Sequence, residues 1–261
     1  MLKVVFFGCT KFSELILKGL QKEGLVDIKA IFTIPKNFNI SYNKEPVKNS
    51  NYSDLSKIVD NLIEVHKVNS IKGQRISDYY KVIESINPDI ILVMGWYFMV
   101  PKKIRELAKY GAWGIHASLL PDYAGGAPLV WAIIEGQEKT GVTLFRLDDG
   151  VDDGDIIAQK EIQIAPEDSI KEVYEKATNA SHEILSNTLL NFDNITFTKQ
   201  DKSKIKVYPQ RSPQDGEIDL TLSAKKIYNF IRAQSFPYPG AFIKTTDGRK
   251  IIIDKARIEN V

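Results

Sequence analysis

The sequence predicts an α/β fold built on a mostly parallel sheet, with a small α+β module at the C-terminal end. Three observations support this class. A short β-branched and aromatic run covers residues 2–7, apolar residues at helical spacing cover 12–22, and a second apolar run covers 28–33. Strand, helix and strand in this order favour parallel strands joined by crossover helices.

Composition and charge narrow the protein class. The chain has 261 residues, of which 43% are hydrophobic and 26% charged, enough for one large domain plus an appendage or for two modest domains. The net charge of +2 lacks the basic footprint of a nucleic-acid-binding protein. Cys9 is the single cysteine, and no signal peptide or apolar run of about 20 residues is present. We therefore expect a cytoplasmic protein without a nucleic-acid or membrane partner.

The remaining elements follow from periodicity and from breaker residues. Strands are predicted over 62–65, 90–94, 112–115, 142–147 and 156–164, and helices over 77–87, 101–109 and 169–190. The polar stretch 36–54 is predicted to be a long loop. Pro101 begins its helix, where its missing N–H is not needed.

A compositional change marks the end of the larger domain. Asn, Thr and Lys dominate 191–206, so we place one domain over 1–195 and a small C-terminal module over 207–261. Within that module a helix is predicted over 223–234, followed by strands around Phe242 and over 251–253. Phe236, Tyr238 and Phe242 make the module the expected contact of a homodimer.

His116 lies in the most informative segment of the chain. A predicted strand ends at this histidine, and ligands bind at the carboxyl ends of parallel strands. Pro121 and Pro128 stiffen the loop that follows, while Gly125 and Gly126 allow the backbone to approach a ligand closely. The segment therefore predicts an active-site histidine, a residue type suited to proton transfer.

The acidic segment 147–155 supplies the expected partner of that histidine. Its five aspartates surround two glycines, but their spacing does not match a calcium-binding loop. The chain also lacks the His/Cys cluster of a zinc site, so we predict no metal. A carboxylate that orients a histidine is the more useful interpretation, with Asp152 as the candidate.

Two motifs together carry a family resemblance. His-x-Ser-Leu-Leu-Pro begins at His116, and Val-Asp-x-Gly places Asp152 36 positions later. This pattern resembles the formyltransferases that use 10-formyltetrahydrofolate, which include glycinamide ribonucleotide transformylase, methionyl-tRNA formyltransferase and the nucleotide-sugar N-formyltransferases. The resemblance covers about residues 1–190. It implies a Rossmann-like sheet, 10-formyltetrahydrofolate as formyl donor, and His116 and Asp152 as catalytic residues in a direct acyl transfer that needs no cysteine nucleophile.

The resemblance also implies binding residues. The residues expected to bind the folate are Met94, Gly95, Tyr97, Phe98, Met99, Leu119, Leu120, Asp148, Asp149, Gly150 and Val151. The residues expected to bind the acceptor are Thr10, Lys11, Tyr123, Gly125, Gly126 and Arg232. The loop 8–11 follows the first strand, where its backbone N–H groups and Lys11 are expected to face a phosphate, although its glycine spacing is not that of a Walker loop.

Gly114 departs from the family pattern. The resemblance implies an asparagine two positions before the histidine, whose amide helps to hold the formyl oxygen as negative charge develops. A backbone N–H, a water, another side chain or His116 itself is expected to take over that task.

The C-terminal segments narrow the branch of the family. Residues 208–219 and 231–242 resemble segments that follow the catalytic domain in the sugar and methionyl-tRNA formyltransferases. The C-terminal segment of this chain is not strongly basic. Because a protein that grips tRNA needs many phosphate contacts, we expect a nucleotide-linked amino sugar as acceptor. Methionyl-tRNA formylation, a catalytically weak folate-binding relative and hydrolysis of 10-formyltetrahydrofolate are the alternatives.

Overall fold

The computed structural model describes residues 1–40, 45–60 and 62–259. Its strands are β1 (Leu2–Phe7), β2 (Val26–Thr33), β3 (Asn37–Phe38), β4 (Val47–Lys48), β5 (Glu64–Lys67), β6 (Ile90–Val93), β7 (Ala112–His116), β8 (Ala124–Gly125), β9 (Lys139–Arg146), β10 (Ile156–Gln163), β11 (Val207–Tyr208), β12 (Ala241–Lys244) and β13 (Lys250–Ile253). Its α-helices are α1 (Lys11–Glu23), α2 (Tyr80–Ile86), α3 (Lys102–Arg105), α4 (Pro128–Ile134), α5 (Ile170–Leu190) and α6 (Ala224–Gln234).

The chain divides into two compact units. The first consists of Met1–Ile115, Leu144–Asp149 and His182–Phe197. The second consists of His116–Thr143, Gly150–Ser181 and Thr198–Val261, of which residues 260 and 261 lie outside the described residues.

A parallel sheet forms the centre of the first unit. Its strand order is β7-β6-β1-β2-β5, and each of these strands runs parallel to its neighbours. The last four residues of β1 are fully buried, as expected for a central strand covered on both faces. This confirms the predicted mostly parallel sheet. In the second unit, β10 neighbours β9.

Helix α1 shows why the first crossover forms where the sequence predicts it. Thr10 caps its N-terminus in a capping box with Ser13, which satisfies backbone donors that lack a helical partner. Gly24 ends the helix with a φ of 62°, a conformation that glycine adopts without steric cost. The apolar face of α1 is buried through Ile16, Leu17 and Leu20.

The helix predicted over 101–109 is shorter in the structure and ends at Arg105. The backbone N–H groups of Lys109 and Tyr110 donate to the carbonyl oxygens of Pro88 and Asp89. These bonds satisfy the two donors outside the helix and hold the chain in its turn towards β7.

Three other segments also differ from their predictions. The strand expected over 62–65 begins at Glu64, because Leu62 is almost fully exposed and packs on no core. The polar stretch 36–54 contains the antiparallel pair β3–β4, and its residues 41–44 lie outside the described residues. Helix α4 was not predicted, since Pro128 was interpreted as a loop residue but lies in the first turn of a helix.

The C-terminal module forms the predicted α+β arrangement. Strands β12 and β13 make an antiparallel hairpin. Helix α6 contributes Ile231 to a small core that also contains Ile218 and Ala241. Among the described residues, no helix is long and apolar enough to cross a membrane.

Cys9 gives a direct test of core packing in the first unit. Its side chain is fully buried, and burial raises the pKa of the thiol to about 12. Because the thiolate is the reactive form, native protein at pH 8 should resist iodoacetamide, whereas unfolded protein should react readily. Mass spectrometry of both samples measures this difference. Rapid, complete labelling of the folded protein would contradict the buried position of Cys9.

Candidate active site

His116 lies at the end of β7 and is 8% exposed. Two contacts of its ring, one with a backbone oxygen and one with a carboxylate, determine its chemistry. The first contact joins Nε2 to the backbone oxygen of Tyr123 at 2.7 Å. A carbonyl oxygen only accepts hydrogen bonds, so Nε2 carries a proton and donates it. In the neutral ring, Nδ1 is therefore the nitrogen with a free lone pair and the atom that accepts a proton.

Asp152 faces that second nitrogen. Its Oδ2 lies 3.4 Å from His116 Nδ1 and accepts a 2.8 Å hydrogen bond from the backbone N–H of Gly125. A carboxylate at this position stabilises an imidazolium when Nδ1 takes up a proton. The structure thus brings together the two residues that the sequence paired, and the arrangement can exchange one proton with a substrate.

Glu135 holds the loop that presents the Tyr123 carbonyl. Its carboxylate accepts the hydroxyl of Tyr123 at 2.6 Å on one oxygen and that of Tyr208 at 3.0 Å on the other. Burial, followed by the bond to Glu135, raises the pKa of Tyr123 well above its usual range. Tyr123 has a φ of 55°, so its backbone conformation depends on such contacts. No sequence motif links residues 135 and 208 to the histidine, and both were missed.

Gly125 and Gly126 pack against the protein's own chain. Strand β8 pairs with β11, and Gly126 N donates to Tyr208 O at 2.9 Å. A Cβ on Gly125 would lie 2.5 Å from Tyr208 O, and one on Gly126 would lie 2.4 Å from Gln210 Cα. The close approach that the sequence predicted for these glycines is therefore made to residues 208–210, and a contact with the acceptor stays a prediction.

Leu119 and Leu120 differ in exposure within the same loop. Leu120 is 3% exposed, and its backbone is held by Thr143 Oγ1 and Gln159 Nε2. Its side chain is therefore part of the core, and a contact with the folate stays a prediction. Leu119 is half-buried and packs beside Gly141.

The segment 94–99 combines buried and exposed positions. Met94 is fully buried, whereas Tyr97 is 41% and Met99 69% exposed. Gly95 has a φ of 69°, and a Cβ there would lie 2.2 Å from Thr10 Oγ1, so both conformation and space demand glycine. Phe98 packs on the ring of Trp96, with 5.7 Å between ring centroids. Tyr97 and Met99 thus reach the protein surface, whereas the Met94 side chain does not.

The loop 8–11 does not offer the backbone donors that the sequence predicted for a phosphate. Gly8 N donates to Phe32 O, and Lys11 N donates to Asn51 O. The N–H groups of Cys9 and Thr10 both donate to Ser13 Oγ. The Thr10 side chain caps α1 and is 6% exposed. The exposed side chain of Lys11 is the group in this loop that stays a candidate for an anionic acceptor.

The acidic segment is held by basic side chains. Asp149 is paired with the buried Arg105, whereas Val151 is 47% exposed. Asp153 accepts from Gly150 N at 3.1 Å and is paired with Lys202 at 2.7 Å. Asp148 accepts from the backbone N–H of Asp149 at 2.9 Å. Over residues 1–40, 45–60 and 62–259, no group of His, Cys, Asp and Glu is arranged to hold a metal ion.

Arg232 is buried and bonded inside the second unit, and a contact with the acceptor stays a prediction. It is 7% exposed, and its guanidinium donates to Asn229 Oδ1 at 3.0 Å and to the backbone oxygens of Ala165 and Asp168 at 3.1 and 2.7 Å. These donors are therefore used inside the second unit.

Leu147 explains the glycine at position 114. A Cβ on Gly114 would lie 3.0 Å from Leu147 Cδ2 and 3.5 Å from Phe145 Cε1. The leucine side chain thus fills the space into which an asparagine at position 114 would project. This pairing of a small with a large residue has no signature in a single sequence.

Comparison with known proteins places this geometry in a family. The profile described as "Formyl transferase" matches residues 2–189, and the one described as "Formyl transferase, C-terminal domain" matches residues 211–260. The chain is 31% identical over 242 residues to the methionyl-tRNA formyltransferase of Caldicellulosiruptor saccharolyticus, which covers 92% of this chain and 75% of that protein.

Solved structures with low sequence identity share the fold. A sugar N-formyltransferase from Shewanella sp. FDAARGOS_354 superposes with a TM-score of 0.73 and 19% identity, over 100% of this chain and 99% of that one. The N-formyltransferase from Helicobacter canadensis, solved with folinic acid and dTDP-3-aminofucose, gives 0.68 and 19%, over 94% of this chain and 85% of that one.

The packing of Gly114 against Leu147 predicts a coupled pair of substitutions. Gly114→Asn should lower the free energy of unfolding by about 1–3 kcal/mol, because the new side chain overpacks the site. Leu147→Ala should be destabilising alone but should offset part of the cost of Gly114→Asn, giving a favourable interaction energy in a double-mutant cycle. Urea unfolding of the four proteins measures this energy. Strict additivity would show that the leucine does not occupy the asparagine position.

Proposed function

The chain belongs to the formyl transferase family, and we propose that it transfers the formyl group of 10-formyltetrahydrofolate to the amine of a nucleotide-linked amino deoxysugar. The observation that carries the proposal is the contact between His116 and Asp152, in which one ring nitrogen is fixed as donor and the other faces a carboxylate. The proposal takes residues 1–195 as the catalytic domain and 207–261 as a C-terminal module that forms a homodimer contact.

The segment 94–99 has the properties expected for one side of a folate site. It exposes the apolar surfaces of Tyr97 and Met99, which suit the face of a flat ring. The buried indole nitrogen of Trp96 has no acceptor within the described residues. The donor molecule brings the activated formyl group, and Tyr97, Phe98 and Met99 are proposed to bind its pterin. Leu119, Val151 and the backbone of 148–150 stay in the proposed set.

His116 and Asp152 are proposed to move protons during a direct transfer. As the acceptor nitrogen forms its bond to the formyl carbon, the bond from that carbon to N10 breaks, and the pair takes the proton that the amine loses. The same pair returns a proton to N10. Asp152 stabilises the imidazolium between these two events, and that cation also attracts the negative charge developing on the formyl oxygen.

Charge supports the amino-sugar acceptor. The segment 207–261 contains nine Lys and Arg against six Asp and Glu, a net charge of +3. Binding to tRNA relies on many phosphate contacts, whereas a nucleotide-linked sugar offers two phosphates that one or two cations can match. Lys11 is the proposed cation for these phosphates. The Shewanella sugar N-formyltransferase and the Helicobacter N-formyltransferase, solved with dTDP-3-aminofucose, support this choice of acceptor class.

Methionyl-tRNA is the second candidate acceptor, because the 31% identical relative bears that name. The two candidates separate in one experiment. The protein and 10-formyltetrahydrofolate are incubated with a panel of dTDP-, UDP- and GDP-linked amino sugars or with methionyl-tRNA. We expect a mass increase of one formyl group on one of the sugars. Formylated methionyl-tRNA with no formylated sugar would replace the first proposal by the second.

Substitutions that keep side-chain size test the proton-transfer roles. His116→Asn and Asp152→Asn should each lower the turnover number by on the order of 10²–10⁴-fold, as for other acid–base groups. Asp152→Asn retains an oxygen for Gly125 N and removes the negative charge, so the loss of turnover in this variant measures the contribution of the charge. His182→Ala, at a histidine on α5, is the matched control and should keep turnover. Near-normal turnover in either asparagine variant would contradict the assigned role.

A further inference from the structure

Gln200 lies in the stretch between the two family matches, which end at residue 189 and resume at 211. Its Nε2 lies 2.8 Å from the backbone oxygen of Asp152 and 2.7 Å from that of Gly154. Both neighbours are acceptors, so the NH₂ end of the amide must face them and donate one proton to each. The amide oxygen is buried and has no donor within the described residues, so the side chain is oriented by its nitrogen alone.

The residues around Gln200 also bind residues 152–156, here called the acidic loop. Thr198 and Ile156 exchange two backbone hydrogen bonds of 2.8 Å, in the geometry of an antiparallel bridge. Lys202 contacts the carboxylate of Asp153 at 2.7 Å. Residues 198–202, here called the tether, therefore bind the loop 152–156 along its length, with Gln200 at the centre.

The tether binds a segment that contains an uncommon backbone conformation. Asp152 has a φ of 51°, a left-handed conformation that is uncommon for residues with a Cβ, although aspartate tolerates it better than most. Gln200 binds the carbonyl of Asp152 and the carbonyl two residues later, so it fixes the peptides on the C-terminal side of that conformation. The carboxylate then stays on Gly125 N and 3.4 Å from His116 Nδ1.

We propose that Gln200 is a positioning residue for formyl transfer, which keeps the Asp152 carboxylate in register with His116 through the two carbonyls of the acidic loop. This inference rests on the proposed function. It also requires the residue type: only a side chain that places two donors on one atom serves both carbonyls, and a glutamate of the same shape offers none when ionised.

The kinetic test compares variants that differ in donors. Gln200→Glu and Gln200→Leu remove both hydrogen bonds and should lower the turnover number by roughly 10-fold or more, since a shift of about 1 Å at a reacting group costs up to about 100-fold. The KM values for both substrates should change by less than about threefold, because Gln200 touches neither substrate in this proposal. Gln200→Lys keeps donors on its terminal nitrogen and should recover most of the turnover. Gln214→Leu, at an exposed glutamine, is the matched control.

Two kinetic outcomes would overturn the inference. Unchanged turnover in both Gln200→Glu and Gln200→Leu would show that the tether does not act on the reaction. Gln200→Lys could also fail to restore the turnover while all three variants lose thermal stability. That result would show that Gln200 only supports folding.

Hydrogen exchange separates this inference from the proposed function, because it needs no substrate. In Gln200→Leu, the amides of 150–156 and of Gly125 should exchange at least about 10-fold faster, while those of α1 keep their protection. Unchanged exchange at these amides sinks the inference even if the enzyme formylates sugars. Faster exchange there in a protein that formylates neither sugars nor tRNA leaves the tether in place and sinks the proposed function.

Discussion

The hydrogen bond from His116 Nε2 to the Tyr123 carbonyl is the constraint on which the rest of the site depends. It reserves one ring nitrogen as a permanent donor, so proton exchange must use Nδ1, the nitrogen that faces Asp152. A ring flip would exchange the 2.7 Å bond for a carbon contact and would leave the carbonyl without a donor. The direction of the Tyr123 carbonyl therefore decides which atom of the histidine is reactive.

The family resemblance implies an asparagine where this chain has Gly114, so in the proposed reaction the histidine takes over the work of that amide. Leu147 fills the space beside Gly114 with an apolar side chain, so no donor replaces the asparagine from that direction. Negative charge that develops on a formyl oxygen then needs another partner. The imidazolium formed when Nδ1 takes up a proton is a full charge instead of an amide dipole, and its attraction is strong in a partly buried site. Asp152 Oδ2 faces the nitrogen that would carry this charge, which connects Gly114 with the His116–Asp152 contact.

The fold and the site differed in how far the sequence could predict them. The order of strands and helices follows from local periodicity, so the prediction of a mostly parallel sheet with a C-terminal module was correct. The contact between His116 and Asp152 could be predicted because both residues belong to short motifs. The sequence could not show which donors and acceptors are already used inside the protein. Arg232 was predicted to bind the acceptor, and only the structure shows that its guanidinium donates to the carbonyls of Ala165 and Asp168.

Two main-chain groups of the second unit bind the side chains of His116 and Asp152, a carbonyl at residue 123 and an N–H at residue 125. Every residue except proline offers both groups, so these positions carry no residue-type signature for their role. The information lies instead in the side chains that fix the two loops, such as Glu135 and Gln200. Gln200 and Tyr208 both fall between the two family matches, where a purely connecting segment would tolerate any polar residue. A cut after residue 189 would therefore keep both members of the pair and remove contacts that hold each of them, so the geometry of the pair belongs to the longer chain.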